Sequence, residues 1–247
     1  MIQHTLLKKQ FRFLICRHGE SIWNKDNKFA GWTEIPLTDK GKNDSLLTAK
    51  KLLSNNFIPD KIYTSDLIRT KDTAEIIKNA INPNIETESC WRINERHYGS
   101  CEGIKRSLLK DRFGNEYLKK VRNNFFIKPP LLDFIDNDSN VYINSSITNI
   151  YNSNNNAKKS YYINNHLLKY GESSFMVSKR FLKFINDIAI ENKNELPLIV
   201  SHKHPVRILL KEVFNLNEEK FENLDINNNT IFYVTISPNG DLSANEI

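Results

Sequence analysis

A chain of 247 residues with a formal net charge of +6 and 39% hydrophobic residues can bury the core of one domain; the charge suits anionic ligands, although a diffuse basic surface is the commoner origin of such a balance. It has no apolar run long enough to span a bilayer, no apolar stretch of a secretory signal in residues 1–10, and no basic stripe interleaved with aromatics as a nucleic-acid groove needs. Cys16, Cys90 and Cys101 lack CxxC spacing and leave one unpaired in any disulfide scheme, so they read as reduced thiols of a cytoplasmic protein.

The first predicted element is a strand from Phe11 to Cys16. Thr38 and Asp39 then open a helix that is expected to place Leu46, Leu47, Ala49, Leu52 and Leu53 on one face, with Pro59 closing the unit. Lys61 to Thr64 is a short strand, followed by a helix through Arg69, Ala74, Ile76 and Ile77 that stops near Asn82 and Pro83. Residues 85–93 read as extended. A helix over about 105–122 carries Leu108, Leu109, Phe113, Tyr117, Leu118 and Val121 and is interrupted at Gly114.

About a third of residues 136–165 are Asn and the helical period vanishes there, so this stretch is expected to be a disordered insertion into one domain spanning 1–247. Helical spacing returns from Glu172 to Glu191. Leu196 to Val200 is a buried strand, Pro205 suits the first turn of a helix, and Thr230 to Ile236 is a final strand. Strands alternating with helices predict an α/β fold of three layers, α/β/α, with a mostly parallel sheet covered on both faces.

The most informative motif follows the first strand. Residues 17–24 read Arg-His-Gly-Glu-Ser-Ile-Trp-Asn, at the carboxyl end of a strand, where open α/β sheets place ligands. Arg17 offers a planar fork of donors for phosphate, His18 a ring nitrogen that can attack phosphorus, and Gly19 a close backbone approach. An Arg-His pair after a strand is by itself more often structural. Ser21 and Asn24 could donate to a phosphate or equally cap the turn.

Four further segments lend the pair weight: Gly31-Trp32; Thr64-Ser65-Asp66-Leu67-Ile68-Arg69-Thr70; Asn94-Glu95-Arg96-His97-Tyr98-Gly99; and Val200-Ser201-His202. Together they resemble the histidine phosphatase superfamily and, within it, the cofactor-dependent phosphoglycerate mutases. The resemblance covers residues 11 to about 131 and 170 to 240. It implies His18 as the nucleophile that becomes phosphohistidine, with Arg17, Arg69 and His202 clamping the phosphate and Glu95 as general acid and base. Ser21, Asn24, Gly31, Arg96, Tyr98, Arg106 and Arg122 are then expected to bind substrate. It also implies a small phosphorylated substrate, 2,3-bisphosphoglycerate as a priming phosphate donor, no metal, and a homo-oligomer, a dimer first. His18, His97, His202 and His204 could be imagined as metal ligands, but no HExxH or Cys-rich spacing supports that.

The chain departs from that family in places. Arg106 stands where the family has Lys, Asn123 where it has Arg, Ala30 where it has a hydroxyl residue, and Lys203-His204-Pro205 where it has Gly-Asn-Ser. The sequence also ends at Ile247, soon after the last predicted strand, where mutases of this branch carry a mobile tail. A weakened carboxylate clamp and an open site lead to the expectation of a phosphohistidine enzyme acting mainly as a phosphatase, with mutase activity as the alternative. A non-catalytic phosphate-binding scaffold is disfavoured because His18, Arg17, Arg69, Glu95 and His202 are all present.

Overall fold

The computed structural model describes residues 9–129, 171–191 and 195–247; the Asn-rich segment expected to be an insertion lies outside them. Six strands, β1 (Phe11–Arg17), β2 (Lys61–Thr64), β3 (Glu86–Ser89), β4 (Pro197–Ser201), β5 (Ile231–Ile236) and β6 (Leu242–Glu246), form one sheet in the order β3-β2-β4-β1-β5-β6. The block β3, β2, β4, β1 is parallel, as expected; β5 runs antiparallel to β1 and β6 antiparallel to β5, so the sheet is mixed.

Alternation along β1 explains the layering. Phe11, Phe13 and Ile15 point to one face and Leu14 and Cys16 to the other, and all are buried. The first face packs on α6 (Ser174–Glu191), α7 (Lys203–Val213) and α8 (Glu218–Asn223), through residues such as Phe181, Ile185, Leu209 and Phe221. The second packs on α2 (Asp39–Ser54) and α3 (Ile68–Ile81), through Ala49, Leu52, Ala74 and Ile77. A third cluster, with Phe29, Tyr98 and Cys101 against Leu109 of α4 (Arg106–Phe113) and Leu118 of α5 (Asn115–Asn123), caps one end. Gly114, at φ +83°, breaks α4 from α5 as its position predicted.

Several expectations need correction. The buried face of α2 is Gly41, Asp44, Ser45, Thr48, Ala49 and Leu52, whereas Leu46, Leu47 and Leu53 are exposed. The reason lies at its first turn, where α2 meets the β1 exit backbone to backbone: a Cβ on Gly19 would sit 2.1 Å from the Gly41 carbonyl oxygen. Small residues face the sheet there and the leucines are turned outward. Residues 85–93 are extended only through Ser89, after which Trp91–Ile93 form a 3₁₀ turn. The short helix α1 (Ile22–Lys25), α8 and β6 had no counterpart in the sequence reading. In β6, an edge strand with an exposed or half-exposed pattern, no apolar alternation exists to read.

Candidate active site

β1 and β4 are adjacent and parallel, with Arg17 beside Ser201, so both strands deliver their next residue to the same edge of the sheet. Those residues are His18 and His202, whose ring centroids lie 5.0 Å apart at 66°. The His18 amide donates to the Ser201 carbonyl at 3.0 Å, and Asn228 Nδ2 donates to the His18 carbonyl at 2.7 Å.

A single contact fixes the chemical form of His18. Its Nδ1 lies 2.6 Å from the Gly19 carbonyl oxygen, which only accepts, so Nδ1 carries the hydrogen and Nε2 keeps its lone pair. Burial, then Arg69 and Arg17, hold His18 well below the ordinary imidazole range, leaving a neutral nucleophile at pH 7. His202 is also held well below that range by burial, Arg69 and His18; its Nε2 meets Ser65 Oγ at 2.8 Å and its buried Nδ1 has no hydrogen-bond partner. The buried thiols Cys16 and Cys101 are pushed up to about 12 by desolvation and are not competing nucleophiles.

Around His18 the cavity is lined by Arg17, Arg69, Arg106, Arg122, Lys203 and Arg207 against one carboxylate, Glu95. Four of the arginines are anchored by backbone or amide oxygens. Arg17 Nη1 donates to Ile226 O at 2.6 Å, Arg69 to Gly31 O at 2.7 Å and Thr33 O at 3.0 Å, Arg106 to Asn27 Oδ1 at 2.9 Å, and Arg207 to Phe221 O. The same four carry buried donors without partners: Nε of each, and Nη1 of Arg207. Buried donors are normally satisfied, and an anion in this cavity would supply the missing acceptors as charge-assisted bonds. Burial lowers Arg106 and Arg207 to about 10, so both remain cationic at neutral pH. Gly31, at φ +50°, is needed because a Cβ would sit 1.8 Å from Glu102 Oε1.

The carboxylate is held by a network of its own. Glu95 Oε1 accepts from the Arg96 amide at 2.7 Å and the His204 amide at 3.3 Å, and His204 Nδ1 lies 3.1 Å from it. The Glu95 carbonyl accepts from Trp32 Nε1 at 2.6 Å and Arg180 Nη2 at 2.8 Å. Burial alone would raise the Glu95 carboxyl, but His204 at hydrogen-bond distance outweighs it and holds Glu95 well below the usual carboxylate range while the ring is charged.

This arrangement can bind a polyanion, present a nitrogen lone pair to it, and exchange a proton beside it. The family model "Histidine phosphatase superfamily (branch 1)" matches residues 13–131 and 142–244. The chain belongs to the histidine phosphatase superfamily. It is 34% identical over 88% of its length to 89% of a 2,3-bisphosphoglycerate-dependent phosphoglycerate mutase of Buchnera aphidicola subsp. Baizongia pistaciae. A protein of the same name from Hamiltonella defensa is 31% identical, over 87% of this chain and 82% of that one. Among solved structures, a mycobacterial hydrolase superposes with a TM-score of 0.71 at 15% identity, covering 96% of this chain and 97% of that one. A mycobacterial glucosyl-3-phosphoglycerate phosphatase does so with 0.70 at 15%, covering 96% and 98%. At that identity the likeness is one of fold.

In this member of the superfamily, Arg17, His18, Asn24, Gly31, Arg69, Glu95, Tyr98, Arg106 and Arg122 all line one cavity, with His202 against His18. Two expected substrate contacts have other occupations. Ser21 is buried and N-caps α1, its Oγ accepting from the Asn24 amide while Asn24 Oδ1 accepts from the Ser21 amide. Arg96 is fully buried and donates from Nε, Nη1 and Nη2 to the carbonyls of Glu172, Arg122 and Ile127. It shapes the wall from behind. Lys203, His204 and Arg207 line the cavity, although the sequence reading had Lys203 and His204 as a departure from the family pattern and did not single out Arg207; the i, i+4 spacing of Lys203 and Arg207 on the helix opened by His202 is the signal that could have found them. Among the described residues no group of three or more His, Cys, Asp or Glu converges as metal ligands would, and no helix is long and apolar enough to cross a membrane.

Proposed function

We propose that the protein transfers the phosphoryl group of a phosphoglycerate through a phosphohistidine on His18 Nε2, interconverting 3- and 2-phosphoglycerate with 2,3-bisphosphoglycerate as the priming donor. The observation that carries this reading is the lone pair of a neutral His18 opening on a cavity lined by six cationic side chains and one carboxylate. One phosphoryl dianion does not require so many cations; a substrate with a second anionic group does. The names of the relatives at 31–35% identity agree with it.

In this scheme Nε2 attacks phosphorus in line with the leaving oxygen while Arg17, Arg69 and His202 take the charge on the equatorial oxygens. Glu95 gives the leaving oxygen its proton and later removes one from the incoming acceptor. Arg106, Arg122, Lys203 and Arg207 hold the second anionic group. Side-chain cations thus occupy the place that a divalent ion has in many other phosphoryl transfers.

Hydrolysis is the second reading, and Asn123 favours it. This residue lines the cavity where the mutase pattern has a further cation, and a looser carboxylate clamp releases the substrate before the phosphohistidine can return its phosphoryl group. Lys203 and Arg207 offset that loss, which is why transfer is placed first. Supplying 3-phosphoglycerate with 2,3-bisphosphoglycerate and measuring phosphate released against 2-phosphoglycerate formed separates the two. A ratio well below one supports the mutase, and a ratio well above one the phosphatase.

A further inference from the structure

His204 stands beside Glu95 in a way that dictates a proton count. Its Nε2 lies 3.2 Å from the Arg122 carbonyl oxygen, an atom that only accepts, so Nε2 must carry hydrogen. Its Nδ1 lies 3.1 Å from Glu95 Oε1. With Nε2–H committed, a neutral ring opposite a carboxylate would place two lone pairs face to face. Burial draws the imidazole down to about 4, whereas His204, His202 and the Arg96 amide together outweigh burial and hold the Glu95 carboxyl well below its usual range. The facing lone pairs are avoided only if the pair keeps one proton between Nδ1 and the carboxyl, as imidazolium and carboxylate or as imidazole and acid.

We propose that His204 is a positioning residue that stores, on the Glu95–His204 pair, the proton Glu95 delivers to the leaving oxygen. The proposal rests on the acid role given to Glu95 above. The groups facing the pair are Arg17 and His18 at the end of β1, Arg69 on α3, Arg96 next to Glu95, His202 ahead of α7, Arg207 on α7, and Tyr98 against the His204 ring. None is a second carboxylate, so no other acid competes for the proton. The cations favour its loss from the empty site. A phosphoryl dianion bound beside the carboxylate would reverse that preference by making the neutral carboxyl the better neighbour.

The balance over a cycle closes. As the N–P bond to His18 forms and the P–O bond breaks, the stored proton passes to the leaving oxygen, leaving carboxylate and neutral imidazole. When an acceptor hydroxyl or water attacks phosphorus, its proton returns to the pair as the P–N bond breaks.

The test uses leaving groups. An alkyl phosphate such as 3-phosphoglycerate needs a proton on its departing oxygen, whereas p-nitrophenyl phosphate does not. Phosphoenzyme formation is measured with both esters, across pH, for wild type, Glu95→Gln, His204→Asn and His204→Gln. In either His204 variant the alkyl-to-nitrophenyl rate ratio should fall by about 10²-fold, the size of a general-acid contribution. The alkaline limb for the alkyl ester should also move to lower pH, since an unpaired Glu95 surrounded by cations loses its proton earlier.

As a second measurement, the ¹⁵N shifts of His204 in the folded wild type should change in Glu95→Gln. A fall in the ratio for Glu95→Gln alone, with neither His204 variant changing ratio or limb, would overturn the storage role while leaving the acid role of Glu95 intact. Equal losses on both esters in Glu95→Gln would overturn the acid role and this proposal with it.

Discussion

Arg180 and Glu172 form a bidentate pair deep in the molecule, Nε to Oε1 and Nη2 to Oε2, each at 2.8 Å. The pair is bound on every side. Arg180 also donates to the carbonyls of Arg92, Asn94 and Glu95, and Glu172 accepts from the His97 amide. The segment that carries Glu95 is therefore shaped by α6, an element that contributes nothing to the cavity lining.

Removing one partner leaves the other charge buried and several carbonyls unmet. Arg180→Met and Glu172→Gln are each expected to lower unfolding free energy by about 3–5 kcal/mol, read from urea denaturation. A loss below about 1 kcal/mol would mean that the segment holds its shape without the pair.

His18→Ala should abolish covalent labelling. Rapid quench of wild type with ³²P-labelled phosphoglycerate is expected to give an acid-labile, base-stable phosphoprotein, the stability pattern of a phosphorus–nitrogen bond. Label that persists unchanged in His18→Ala would move the nucleophile elsewhere.

Acid should weaken the fold before the carboxylates titrate. His18 and His202 sit well below the ordinary 6.5 in the folded state, so below that pH the unfolded chain binds more protons than the folded one. The stability they contribute is complete above about pH 6.5 and declines beneath it, at up to about 1.4 kcal/mol per pH unit for each ring. Urea midpoints between pH 7.5 and 5 should show this slope, and it should shrink in His18→Asn and His202→Asn.

Gly31→Ala should act on phosphate affinity through Arg69. The left-handed backbone and the Glu102 side chain both oppose a Cβ, and relief of that clash moves the carbonyl that anchors Arg69 Nη2. A stability cost of about 1–3 kcal/mol is expected, with a higher KM. An unchanged KM would show that Arg69 does not depend on this anchor.

Asn123→Arg should favour 3-phosphoglycerate over an ester without a carboxylate, by at most about 1.5–3 kcal/mol for one charged hydrogen bond. It should also reduce phosphate release relative to 2-phosphoglycerate formation. If neither ratio changes, position 123 lies outside the carboxylate clamp.

Much of the fold was legible because apolar period and turn residues agree along β1, α3, β4 and α6, each found within a few residues of its observed limits. That Arg17, His18, Arg69 and Glu95 line one cavity with His202 against His18 was legible because contiguous motifs carry them. What escaped depends on partners far apart in the chain. Ser21 and Arg96 belong to the motifs yet serve the scaffold, since a motif fixes residue type but not which neighbour takes its hydrogen bonds. Arg207 belongs to no motif and is fully buried beside the cavity. Leu46, Leu47 and Leu53 face outward, against expectation, because the close approach of Gly19 to Gly41 orients α2 and no hydrophobic period encodes that approach.

The position of β4 between β1 and β2 bears on when the protein can become reactive. β1 emerges early from the ribosome with His18 behind it, yet it has no hydrogen-bonded partner until β4 and β5 arrive, and β2 and β3 pair apart from it. Such long-range pairing is slow and completes late. A partly synthesised chain therefore holds His18 without His202, Lys203 or Arg207, and under the proposed mechanism it lacks part of the phosphate site. Phosphorylation of His18 would serve as a chemical timestamp for completion of the sheet, and a pulse of labelled donor during translation would report folding of the whole molecule.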